Sequence, residues 1–203
     1  MTRPALAVLA AAALPLALGG CVTLFPKETP TTLYRFDATV PAAQTAAAPF
    51  TVRLGAPGFD SASAGDAIMT SDGDRVAYIA GARWSAPAQE LFDAAVEHGF
   101  DEAGGPAHPI APGAAARADL RLQLEVTRFE ADYLAGPAVA PTVVVRVRAQ
   151  LAREKDMTVV AEREFDATAP AADNRVSAIV PAFDAATSKV VGDLVAWVNG
   201  GGG

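Results

Sequence analysis

Asp119-Leu120-Arg121-Leu122-Gln123-Leu124-Glu125-Val126 alternates polar and apolar residues, in a β-type segment that runs on to Glu130. Successive side chains of a strand point to opposite faces, so Leu120, Leu122, Leu124 and Val126 face a core while Arg121, Gln123 and Glu125 face water. A second segment, Thr142 to Leu151, and a third, Val159 to Ala167, follow, the last two separated by the charged turn Arg153-Glu154-Lys155-Asp156. Together they predict a three-stranded antiparallel meander, a sheet with one face to cover.

The cover lies further along the chain. Ile179, Phe183, Ala186, Val190, Leu194 and Trp197 step by 4, 3, 4, 4 and 3, the spacing of one apolar stripe on a helix. Its opposite face, with Asp184, Ser188, Lys189 and Asp193, is expected in water, and Gly200 to Gly203 are expected to form a flexible tail. Upstream of the meander, Asp101 to Gly113 is rich in Gly and Pro and reads as a surface loop. Before it, Ser85-Ala86-Pro87 starts a second helix that carries Leu91, Phe92, Ala95 and Val96 as far as Gly99. Ala67 to Thr70 and Arg75 to Ile79 flank Ser71-Asp72-Gly73-Asp74, whose Asp-Gly step predicts a hairpin. Leu33 to Phe36 and Phe50 to Leu54 read as two strands joined by a loop through the Ala/Pro-rich stretch 41–49. The fold class is α+β: a single domain with a mixed, mostly antiparallel sheet packed by two helices.

The amino end is of another kind. Arg3 precedes an apolar run from Ala5 to Leu18, a charged n-region and an h-region. A helix needs about 20 apolar residues to cross a bilayer, and this run is shorter. Leu18-Gly19-Gly20-Cys21 then looks like a lipobox, which implies lipidation of the Cys21 thiol, cleavage after Gly20 and acylation of the new amine; an ordinary secretory signal ending near a cysteine is the alternative. The expected division is residues 1–20 as lipoprotein signal peptide, 21–30 as lipidated terminus and tether, 31–199 as the folded domain and 200–203 as the tail. Pro26 and Pro30 fit an extended tether. Val22 stands where an aspartate commonly retains a lipoprotein at the inner membrane, which favours the outer membrane, facing the periplasm.

Composition narrows the function. Cys21 is the sole cysteine, so no intramolecular disulfide and no thiolate metal cluster can form. The formal charge is −7, and −8 once Arg3 leaves with the signal, a poor match to nucleic acid or anionic headgroups. His98, at the end of a helix, and His108, in the Gly/Pro-rich loop, sit in no catalytic motif, and no G-x-S-x-G, H-E-x-x-H or phosphate loop occurs. Asp72, Asp74, Asp101, Glu102, Glu154 and Asp156 fall in turns or after a helix, where turn chemistry accounts for them. No catalytic residue, metal or cofactor is expected beyond the covalent lipid on Cys21. Trp197 continues the helix stripe into the core, whereas Trp84, at a strand-to-helix junction, either fills the core or, with Arg83, faces a partner.

Leu33-Tyr34-Arg35-Phe36, Val76-Ala77-Tyr78, Arg83-Trp84-Ser85-Ala86-Pro87 and Ala182-Phe183-Asp184-Ala185-Ala186 through Val195-Ala196-Trp197 resemble the ABC-type transport auxiliary lipoprotein component family. The resemblance covers nearly all of the chain after Cys21. It implies a lipid-anchored outer-membrane accessory that works with a mammalian-cell-entry (MCE) domain protein and an ABC transporter moving lipid across the envelope, with self-association left open. Other readings are a carrier holding a lipid or amphiphile between helix and sheet, a general envelope-assembly lipoprotein, and, least supported, an envelope hydrolase.

Overall fold

The alternating segment becomes the central strand of the computed structural model, which describes residues 30–43, 47–110 and 113–202. In chain order the elements are β1 (Thr32–Tyr34), β2 (Phe50–Leu54), β3 (Gly58–Phe59), β4 (Ala67–Asp72), β5 (Arg75–Trp84), α1 (Ala88–Ala103), β6 (Ala107–Ile110), β7 (Leu120–Asp132), β8 (Thr142–Arg153), β9 (Val159–Pro170) and α2 (Val176–Asn199). One edge of β7 pairs with β8 along its whole length, and β8 with β9, both antiparallel. The other edge is shared in turn by β2 at Leu120, β3 at Glu125 and β4 at Ala131, all parallel. β5 returns antiparallel on β4, β1 runs parallel beside β5, and β6 runs parallel beside β2. The long ladders are antiparallel and the short ones mostly parallel: this is the mixed sheet of an α+β domain.

Three local expectations change. β1 stops at Tyr34, short of Phe36, and the connection that follows carries the chain from beside β5 to β2, which lies on the same edge of β7 as β4. The stretch after Gly99 is not all loop, because α1 continues to Ala103, Gly104 ends it with φ of 60°, and Ala107–Ile110 forms β6. Pro109 is tolerated there because β6 is an edge strand that, among the described residues, has no strand neighbour besides β2. The tail is not free either. Gly200, Gly201 and Gly202 donate backbone hydrogen bonds to Ala196, Val198 and Trp197 at 2.9–3.0 Å. Gly202, at φ of 84°, packs so closely that a Cβ there would stand 2.8 Å from that of Ala161.

The core lies between the sheet and the two helices. Phe36, Trp84, Phe129 and Phe183 meet in one aromatic cluster, with ring centroids 5.0 Å apart for Phe36 and Trp84, 5.1 Å for Trp84 and Phe183 and 4.9 Å for Phe129 and Phe183. Phe59 and Phe92 extend it toward α1. Edge-on and tilted ring pairs of this kind are worth about 0.5–1.5 kcal/mol beyond the area they bury. They tie β5, β7, α1, α2 and the segment after β1 into one unit.

α1 crosses α2 at Gly99, where a Cβ would lie 2.7 Å from Val191 Cγ1 and 3.1 Å from Val40 Cγ2. A larger side chain must push the helices apart. Gly99→Leu is expected to lower the unfolding free energy by about 1–3 kcal/mol through overpacking, although Leu is the better helix former by up to about 1 kcal/mol. Urea unfolding followed by circular dichroism measures it; a stabilised variant would mean that the helices part without strain.

Candidate functional site

Leu18, Gly19, Gly20 and Cys21, the expected lipobox, lie outside the described residues. The other expected site residues separate. Trp84 is 2% exposed, in contact with Phe36 and Phe183, so of its two expected roles the core one holds and the partner-facing one is corrected: an indole at the centre of the core presents nothing to a partner. Arg83 faces outward and pairs with Asp66 at 2.7 Å. His98 is inside α1 rather than at its end, and its Nδ1 lies 3.4 Å from Asp37 Oδ1. His108 is an exposed residue of β6, not of a loop. Among the described residues no group of three or more His, Cys, Asp or Glu is gathered as metal ligands, and no helix is long and apolar enough to cross a membrane.

Two surfaces were not anticipated. The first arises because the connection after β1 crosses the polar face of α2 as a strap, so that face is not left wholly to water. A strap without a strand neighbour must find partners for its backbone N–H groups. Asp37 N–H donates to Asp184 Oδ1 at 3.2 Å, Thr39 N–H to Ser188 Oγ at 3.0 Å, Val40 N–H to Glu102 Oε2 at 2.8 Å and Ala43 N–H to the Ala103 carbonyl at 2.8 Å. Asp184, Ser188 and Glu102 thus act as acceptors that hold the strap. Burial raises the Asp184 carboxyl above its usual range, an effect opposed by the Asp37 N–H and reinforced by the Asp37 charge. Burial also raises Asp93 and Glu97 on α1, Glu97 further through the charges of Asp93 and Asp101.

Between the strap and α2 lies a groove of about 600 Å³, with Val40, Pro41, Ala43, Gly192, Val195 and Ala196 in its walls. Thr39, Ser188 and the Lys189–Asp193 pair stand among its polar lining residues. At its α2 end, Asn199 Oδ1 accepts from the Ala107 N–H at 3.0 Å and so joins the end of α2 to β6.

The second surface is at the end of the sheet where β4 turns into β5. Arg75, Val76, Ala77 and Ile79 of the hairpin, Tyr133 and Pro137 of the β7–β8 connection, and Asn174 before α2 enclose a cleft of about 470 Å³. Tyr133 N–H donates to the Ser71 carbonyl at 2.7 Å and its hydroxyl to Asn174 Oδ1 at 2.6 Å. These bonds fix the three segments to one another.

At the opposite end, the charged turn does more than turn. Glu154 accepts from Arg53 Nε at 2.8 Å and from Arg121 Nε at 2.9 Å, joining β2 and β7 to the β8–β9 turn. The two guanidinium groups hold the Glu154 carboxyl below its usual range, Arg121 contributing most. A carboxyl whose folded pKa is depressed adds stability above its unfolded pKa and loses it as pH falls through the folded value. Glu154→Gln is therefore expected to be less stable than the parent at about pH 7 and to lose less between about pH 5 and pH 3, read from urea midpoints across that range. Parallel acid losses in the two proteins would refute it.

Fold and surfaces define one α+β domain whose candidate sites are a strap groove and a hairpin end. The chain matches the ABC-type transport auxiliary lipoprotein component family over residues 32–195 and belongs to it. It is thus an auxiliary lipoprotein of ABC-type transport, a component of the cell envelope. A Xanthomonas campestris protein of known crystal structure is 26% identical, with a TM-score of 0.71 over 84% of this chain and 97% of that one. An uncharacterized protein is 12% identical, with a TM-score of 0.63 over 83% and 99%. A hypothetical protein of Chlamydia trachomatis is 11% identical, with a TM-score of 0.52 over 75% and 97%. The last two share the fold alone. No curated protein matches the chain.

Proposed function

We propose that the protein is a non-enzymatic periplasmic accessory of an MCE-linked lipid transport system. Lipid on Cys21 holds it to the outer membrane, the tether sets its reach, and the domain docks an MCE-domain protein of the transporter assembly. The observation that carries this reading is the family match, which spans nearly the whole described domain. The Leu18-Gly19-Gly20-Cys21 pattern and Val22 support the anchor and its membrane. An affinity pull-down of the lipidated protein from detergent-solubilised envelopes, read by mass spectrometry, tests it. Recovery of an MCE-domain protein is the expected result; recovery of other outer-membrane machinery alone would overturn the partner.

The strap groove favours one second reading, a module that carries a lipid or amphiphile. Its walls are largely apolar, as a ligand site requires, and it lies on the outer side of α2 because aromatic rings fill the space between helix and sheet. Native mass spectrometry of the soluble domain separates the two readings: a carrier retains a stoichiometric ligand, a docking accessory none.

A further inference from the structure

We propose that the hairpin end of the sheet rests on the bilayer that holds the Cys21 lipid, with Val76, Leu134 and Val139 set into the headgroup layer. This rests on the anchoring of Cys21 proposed above.

The strand directions place the three residues together. β4 runs parallel to β7, with Ser71 opposite Asp132, and β8 begins at Thr142 opposite the same Asp132. The β4–β5 turn and the β7–β8 connection therefore project from one end of the sheet, joined by the Tyr133 to Ser71 hydrogen bond. There Val76 is 57% exposed, Leu134 79% and Val139 51%.

A second set of exposed apolar residues, Met157, Val159 and Val160, stands at the opposite end, and the direction of the chain decides between them. β1 runs parallel to β5, with Thr32 beside Ala82, while β5 starts at the hairpin turn. The chain thus arrives at Thr32 from the hairpin side. Ala67 is opposite Arg83 and Asp72 opposite Arg75, so five residues of β4, about 17 Å, separate the level of β1 from the turn. The eleven residues from Cys21 to Thr32 span up to about 36 Å. That span exceeds the distance to the hairpin turn, and the hairpin is the end from which β1 begins, whereas the Met157 end lies in the opposite direction.

Charge selects the kind of surface. Asp72, Asp74 and Asp173 stand around this end with Arg75 and Arg175, a mixed set with no basic cluster for anionic lipid. The fitting surface is zwitterionic, with phosphatidylethanolamine as its main lipid. Apolar side chains of interfacial segments settle about 5–10 Å into the headgroup boundary.

Because the Cys21 thiol carries the lipid, one introduced cysteine is a unique labelling site. Full-length lipidated Val76→Cys, Leu134→Cys and, as an equally apolar control, Met157→Cys are labelled with an environment-sensitive fluorophore. They are then reconstituted on vesicles of phosphatidylethanolamine with a minority of phosphatidylglycerol, and attachment is checked by flotation. The expected result is a blue shift at positions 76 and 134 with several-fold stronger quenching by spin-labelled phospholipid than at 157. Floating protein whose labels at 76 and 134 stay water-like, or whose label at 157 is the one quenched, would overturn the proposal. Labels that respond only when solubilised envelope proteins are added would assign this end to a protein partner instead and overturn it equally. Protein that fails to float refutes the anchor itself, and the proposal falls with it.

Discussion

Trp84→Ala is expected to lower the free energy of unfolding by about 3–5 kcal/mol, the range for truncating a large aromatic in a packed core. The indole has no outward face. Phe36 meets it edge-on at 5.0 Å, Phe183 at 5.1 Å and Phe129 at 6.2 Å, so removing it leaves a cavity bounded by aromatic rings that cannot all collapse inward. Because Phe183 belongs to α2 and Phe129 to the central strand, the loss falls on the contact between helix and sheet. Urea or thermal unfolding of the soluble domain measures it, and Trp84→Phe, which keeps most of the apolar volume, should recover part of the difference. A destabilisation under about 1 kcal/mol would show that the site repacks. This expectation also bears on function: a transport defect in Trp84→Ala cells is accompanied by lower protein abundance, whereas a defect in Arg83→Ala cells is not, since the Arg83–Asp66 pair is a half-exposed surface pair worth about 0–1 kcal/mol.

Cys21→Ser is expected to move the protein from the membrane fraction to the soluble fraction while leaving its unfolding midpoint unchanged, and to abolish its part in transport. Each buried methylene of an acyl chain contributes about 0.8 kcal/mol to membrane attachment, and one chain alone binds only marginally. A hydroxyl in place of the thiol forms no thioether, so every chain is lost together. The folded domain begins at Thr31, well after Cys21, which is why stability and attachment are separable. Fractionation, unfolding and a transport assay on one variant read all three. Full transport by the unanchored protein would sink the anchoring role.

The contrast among Trp84, Glu154 and Asp184 shows where residue-level reading stops. Trp84 and Glu154 stand in short, weakly patterned stretches and Asp184 on the polar face of a well-patterned helix, places where the same residue type serves a core, a turn or a solvated face. Periodicity fails to separate these roles because it reports only on neighbours along the chain. Trp84 is drawn inward by Phe36, Phe129 and Phe183, each from a distant element. Glu154 is clamped by Arg53 and Arg121, of which Arg53 precedes it by about a hundred residues. Asp184 and Ser188 have the polar character of a wetted helix face and are instead the acceptors for a strap that must satisfy its own backbone.

What the sequence determined by itself was whatever local periodicity and local chemistry control. The strict alternation from Leu120, the stripe from Ile179 to Trp197, the Asp-Gly hairpin and the charged turn before Val159 dictated the meander, the long helix and the α+β class, because each pattern can bury its apolar face in only one secondary structure. The signal-like amino end and Cys21 are an expectation of the same local kind, an ordered run of charge, apolar length and small residues that lies outside the described residues. Only the tertiary structure decided which strands share the edge of β7, that the β1–β2 connection straps α2 and leaves a groove, that β6 forms in a Gly/Pro-rich stretch, and that the hairpin and the β7–β8 connection project from one end. Each of these depends on hydrogen bonds and packing between residues far apart in the chain, whose partners become specific only when the sheet has assembled around them.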